Sequence, residues 1–330
     1  MQLTQKKSRR GDLLTAAAVA MLLAVMAALL YTGSLTRQVT NMLIPTAVYI
    51  VMAVSLNLVV GLLGELSLGH AGFMSVGLFS GCLVAIALTN TALPLMVRLP
   101  VSMLAGGLTA AVFGLLVGLP TLRLRGDYLA IVTLACGEII KNIITNLRVT
   151  GGALGLNTSA IYAGAKELLP YGAALVLLTV AVMLNLKRSK YGRAIMAIRD
   201  NRIAAESVGL SVTRYKLAVF VIAAFFAGCA GVLYGHSLAN IKAAAFDYNM
   251  SIEILVIVLG GMGSVPGSVV SAIVLTVLPE ALREVADYRM LVYAVVLILV
   301  MQATNNPAMK RFFGAACKSL TPKRKERAAL

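Results

Sequence analysis

The chain has 330 residues, 59% hydrophobic and only 13% charged, with a mean hydropathy of +0.89. A soluble domain carries about 25% charged residues, so this chain lacks the polar groups that would cover its outside in water. That excludes a cytosolic enzyme, a DNA-binding regulator, a secreted disulfide scaffold and a disordered chain. The surface meets lipid. A spanning helix takes about 20 apolar residues, which leaves room for roughly ten. The expected fold is an all-α polytopic membrane protein, one transmembrane domain over residues 1–330.

Apolar runs place ten spans at 12–31, 41–63, 68–89, 99–120, 126–147, 169–186, 217–238, 250–262, 267–282 and 289–304. The first follows Lys6, Lys7, Arg9 and Arg10. Its core, Leu13 to Leu30, exceeds the roughly 7–15 apolar residues of a cleaved signal, so it reads as a retained anchor. With the N-terminus (1–11) inside, the inner segments hold 21 of the 29 Lys and Arg, counting the 187–216 loop and the 305–330 tail. This bias predicts both termini in the cytoplasm. It also accounts for the formal charge of +16, so no nucleic-acid partner is needed. Tyr31, Tyr128, Tyr171, Tyr234, Tyr248 and Tyr288 fall near span ends, as an interfacial belt requires.

Small residues recur at every fourth position: Gly77, Gly81 and Ala85; Gly106, Ala110, Gly114 and Gly118; Ala227, Gly231 and Gly235. Such stripes let helix backbones approach closely in lipid. The run Gly260, Gly261, Met262, Gly263, Ser264, Val265, Pro266, Gly267 follows an apolar stretch of about 13 residues, roughly 20 Å of helix. That is short for a crossing and predicts a broken or re-entrant element with a hinge at Gly260, Gly261, Gly263, Pro266 and Gly267.

The catalytic inventory is nearly empty. Only His70 and His236 are present, no metal-ligand spacing occurs, and no phosphate-binding Gly-x4-Gly-Lys loop exists. Cys82, Cys136 and Cys229 lie in apolar segments and Cys317 in the tail, with no CxxC, so they read as small core residues. His70 reads as a hydrogen-bonded structural group. Charged and amide groups inside spans are the candidates for a translocation path. They are Asn57, which is also placed to bond across helices, Glu253 near a helix start, and Glu138 with Lys141. The last two lie three apart on one helical face and can neutralise each other.

The longest inner loop, 187–216, carries eight Lys or Arg residues. Asp200 or Asn201 can cap a helix start, and Gly209 can close the helix in the left-handed conformation. A helix of two turns is unstable alone in water and needs a partner surface. Ala204 and Ala205 permit close approach there, and Arg199, Arg202 and Glu206 offer charge pairs at the rim.

Several long stretches resemble the permeases of branched-chain amino-acid ABC importers. They are Leu56 to Gly61, Leu66 to Phe73, Leu122 to Leu134, Gly137 to Ile139, Thr150 to Gly152, the loop through Lys216, Leu259 to Gly267, and Tyr288 to Leu291. The resemblance covers about residues 45–302. It implies a type II importer fold in a bacterial inner membrane, a second homologous permease subunit, two cytoplasmic ATPases and an external substrate-binding protein. It also implies that ATP and Mg bind the partner ATPases, with no cofactor or metal on this chain. The 187–216 loop is then the ATPase-coupling element, carried by Arg199, Asp200, Asn201, Arg202, Ala204, Ala205, Glu206 and Gly209. The implied cargo is Leu, Ile and Val. Urea, amides or other amino acids are the alternative cargo, and an ion-coupled carrier built on Glu138 and Lys141 is the alternative mechanism.

Overall fold

The computed structural model describes residues 2–33, 36–89, 94–124, 126–261, 263–281 and 295. The expected tenth span at 289–304 and the tail at 305–330 lie outside the described residues, apart from residue 295. Helix α1 (Gln2–Tyr31) is followed by α2 (Arg37–Asn57), whose last turns continue as a π-helix over Leu58–Leu63. Next come α3 (His70–Thr89), α4 (Leu95–Thr121), α5 (Asp127–Asn146) and α6 (Ala165–Arg188). Two short helices, α7 (Lys190–Asp200) and α8 (Arg202–Ser207), occupy the 187–216 loop. The chain then forms α9 (Val212–His236), α10 (Tyr248–Gly260) and α11 (Val265–Ala281).

Among the described residues, seven helices are long and apolar enough to cross a membrane, and Ala17–Tyr31 and Val265–Leu278 are shorter apolar helices. Two expectations need adjusting. The first helix begins at Gln2 and not near residue 12, because nothing between the basic N-terminal residues and the apolar run breaks it. The apolar stretch before the glycine run is also longer than read: a 3-10 turn at Ala243–Ala245 leads into α10, and Ala243–Gly260 has the length to cross.

Burial follows the hydrophobic pattern. A helix that is apolar all round belongs in the interior, and 94% of the best window of α2 and its π turn is buried, against 28% for α5. Lipid provides no hydrophobic drive between helices, so packing depends on close backbone contact. Helices α3, α4 and α9 supply it. A methyl group on Gly77 would overlap the Gly228 backbone, and one on Gly106 would overlap the Gly77 carbonyl. A methyl on Gly228 would stand 2.6 Å from the Gly106 carbonyl oxygen. The stripes identified in the sequence are therefore contact surfaces, although on α9 the central contact is Gly228, one residue beside the stripe. Several buried hydroxyls donate within their own helices, as Ser102 does to the Leu99 carbonyl (2.8 Å).

At the end away from the 187–216 loop, two extended pairs tie the connections together. Strand β1 (Leu156–Asn157) pairs antiparallel with β2 (Asn240–Ile241). The Thr158 N–H donates to the Ala239 carbonyl (2.9 Å), and the Ala163 N–H to that of His236 (3.0 Å).

Because Gly228 meets backbone and not a movable side chain, Gly228→Val should cost about 1–3 kcal/mol of stability. Thermal unfolding of the detergent-solubilised protein reads this. Gly164→Ala, at a position with open space around it, should cost distinctly less.

Candidate functional site

The 187–216 loop folds as a hairpin. Ser189 caps α7, its hydroxyl accepting from the Gly192 N–H (3.0 Å). The chain turns at Asn201, whose extended backbone separates the helices and whose side chain accepts from the Ala204 N–H (3.0 Å). Of the two capping candidates, Asn201 is therefore the residue used. Gly209, at φ +84°, closes α8. Its N–H donates to the Glu206 carbonyl (3.0 Å), and that of Leu210 to the Ala205 carbonyl (3.1 Å), a Schellman stop.

One expectation is reversed. Ala205 does not face outward: it is buried with Ile198 and Val212, flanked by Leu210 and Tyr215. The exposed face of α8 holds Ile203 (80% exposed), Ala204, Ser207 and Val208 (75% exposed). Arg202 and Glu206 pair with each other one turn apart (2.9 Å). Arg199 turns toward the body of the chain. Its guanidinium donates to the Gly61 carbonyl (3.1 Å) and to Asp200 (3.0 Å), and its stem lies over Gly64.

Helix α7 went unread in the sequence, although Gly192, Ile195 and Ile198 recur at helical spacing and all are buried. Also unread was the ion pair of Lys216 with Glu65, both largely buried, which ties the first turns of α9 to the segment after the π turn. No spacing signals a pair 151 residues apart. A cavity of 310 Å³ runs beside this hairpin, and Gly64, Glu65, Asp127, Arg199, Arg202 and Lys216 are among its lining residues.

The four path candidates occupy three places. Asn57 is fully buried and lines no open surface. Its amide donates to Ser268 Oγ (2.8 Å) and the Ser264 carbonyl (3.3 Å), and its Oδ1 accepts from the Gly263 N–H (3.1 Å). It therefore bonds across helices and holds the glycine turn. Glu138 and Lys141 form an ion pair on α5, 31% and 19% exposed. Beside them a shallow groove of 480 Å³ is lined by Ile139, Asn142, Ile143, Asn146 and Leu147. Glu253 lies in the second turn of α10 and borders a different cavity, of 230 Å³, with Tyr49, Tyr234, Asp247 and Asn249 among its walls. The carboxylate that caps α10 is Asp247, which accepts from the Met250 N–H (3.2 Å).

In the glycine run, α10 ends at Gly260 and α11 begins at Val265. A Cβ on Gly261 would collide with the backbone of Gly267 and Ser268, so the two helices start nearly in contact. Pro266 sits in the first turn of α11, where a missing N–H costs nothing. The buried His70 is structural as expected: Ser55 donates to the Met52 carbonyl (3.0 Å), so it accepts from His70 Nε2–H (2.8 Å). Among the described residues no group of His, Cys, Asp and Glu could hold a metal ion.

Residues 38–301 match the family described as the permease component of the branched-chain amino acid transport system. The chain belongs to that family. The high-affinity branched-chain amino acid transport system permease proteins LivM of Salmonella typhimurium and of Escherichia coli are each 36% identical to it, over 296 and 290 residues. In both cases the match covers 78% of this chain and 66% of the relative, so the chain spans just under two thirds of their length. The corresponding LivH permease of Salmonella typhimurium is 32% identical over 126 residues, 37% of this chain and 40% of that protein. No solved structure matches. The family is one of membrane permease components, in keeping with the seven candidate spans among the described residues.

Two outcomes test the site as drawn. Ala205→Trp should destabilise the chain itself by about 1–3 kcal/mol, read by thermal unfolding, because the side chain has no room against Ile198 and Val212. Glu138→Gln should cost on the order of 1–3 kcal/mol by leaving Lys141 unpaired. Adding Lys141→Gln should recover much of that loss, because no charge is then left behind.

Proposed function

We propose that this chain is the membrane-spanning permease subunit of an ATP-binding-cassette importer in a bacterial inner membrane. It moves Leu, Ile and Val delivered by an external binding protein. ATP and Mg bind two cytoplasmic ATPase partners, and a second homologous permease completes the membrane part. The observation that carries the reading is α8, a six-residue helix that presents Ile203 and Val208 to the outside. Ala205 and the two caps hold α8 within the chain, so these exposed apolar side chains are free for a partner. Two bulky apolar side chains beside the paired Arg202 and Glu206 form an apolar centre with a charged edge, the composition of a protein interface. The ATPase docks there. Asn201 and Gly209 shape the hairpin by capping α8 at its two ends, and the exposed Asp200 lies at its turn.

The exposed face of α5 supports a second permease subunit. Asn142 and Asn146 are exposed within an expected span, beside the Glu138–Lys141 pair. Polar groups at membrane depth face protein or water, not hydrocarbon. This face therefore abuts the second subunit and borders the path between them. Glu253 lies at the outer mouth.

Ile203→Glu combined with Val208→Glu should abolish co-purification of the ATPase while leaving expression and insertion near normal, since neither side chain packs inside the chain. Retention of the ATPase by that variant would overturn the docking assignment. The chain alone in liposomes, with a proton or sodium gradient, should move no amino acid. Uptake under those conditions would point to the ion-coupled carrier.

A further inference from the structure

The α7–α8 hairpin grips the body of the chain at one short segment, residues 58–65. Arg199 holds it from one side, through the Gly61 carbonyl and the surface of Gly64. Lys216, four residues into α9, holds its far end at Glu65. The gripped segment is the π turn Leu58–Leu63, closed by Gly64 at φ +79°. A π turn, closed by i→i+5 hydrogen bonds, is a rare single-turn bulge in an α-helix. It has a discrete alternative, the ordinary α turn, and such two-state elements convert small displacements into large ones.

The other side of the same turn touches the glycine run. A Cβ on Gly61 would overlap the Asn57 amide and stand 2.8 Å from the Gly263 nitrogen. The absence of a side chain at Gly61 lets Asn57 reach across the turn to Gly263, Ser264 and Ser268, using both amide hydrogens and its oxygen. Lys187, at the start of the docking loop, donates to the Gly263 carbonyl from the opposite direction (3.3 Å).

We propose that Arg199 and Asn57 are positioning residues of the transport cycle: Arg199 passes displacement of the docking hairpin to the π turn, and Asn57 passes it to the Gly261–Ser264 turn between α10 and α11. Because Glu65 is fixed to α9, the gripped segment cannot slide as a unit, and the displacement appears as a change of pitch between residues 58 and 64. Neither residue touches cargo or ATPase. The inference rests on the reading of 187–216 as the docking loop.

The test uses the complete importer in liposomes, with Ser264→Cys as a reporter and Cys136 and Cys317 replaced by Ser. Ser264 is exposed, and its link to Asn57 runs through the backbone carbonyl, so the reporter keeps the joint. ATP with Mg should change the rate at which a maleimide labels this cysteine. Arg199→Ala should erase that change and lower transport about tenfold, the size of a coupling energy between sites, while the ATPase still co-purifies. Asn57→Ala should do the same. If it fails to insert, the half-exposed Arg199 decides alone.

Normal labelling and transport in Arg199→Ala would overturn the inference, as would a reporter that never responds to ATP. Loss of the ATPase from Arg199→Ala would also overturn it, since Arg199 would then be a docking residue, while leaving the docking assignment intact. That assignment fails separately, if the Ile203→Glu, Val208→Glu variant keeps its ATPase.

Discussion

The close approach of three helix backbones holds the rest in place. Where Gly77, Gly106 and Gly228 meet, α3, α4 and α9 come within a distance that no side chain could share. Lipid tails are as apolar as leucine, so cohesion here comes from dispersion between backbones and from the entropy of excluded lipid. The contact fixes α9, and α9 is the helix that leaves the α8 turn and carries Lys216. A rigid centre therefore stands directly behind the α7–α8 hairpin, with the π turn Leu58–Leu63 between them.

The sequence made the centre legible and hid the joints. Spans and small-residue stripes follow from composition and a four-residue repeat, and the structure places the glycines in contact. Asn201 and Gly209 were readable because caps are local chemistry. The facing of Ala205 was not. On a helix of six residues every side chain is near an edge, and small size suits an inner contact as well as an outer one; only the packing of Ile198 and Val212 decides. Glu65 with Lys216, and Asn57 with Ser268, join positions more than 150 residues apart. No periodicity announces such a partner. Asn57 was readable as a bonded amide, but its partners were not, and they remove it from any open path.

The polar groups divide by what surrounds them. Asn57 and His70 are buried, and each makes hydrogen bonds inside the described fold. Glu138 and Lys141 neutralise each other at the edge of the bundle. Asn142 and Asn146 are exposed beside Ile139 and Ile143 on α5, the least buried of the seven candidate spans among the described residues, and the Asn146 amide donates only along its own helix, to the Asn142 carbonyl (2.8 Å).

Under the proposed assembly the same surfaces carry a cost. A chain without its partners has exposed amides on α5 turned toward lipid and Ile203 and Val208 turned toward water, each in the wrong solvent. What suits the chain to a complex leaves it poorly solvated outside one.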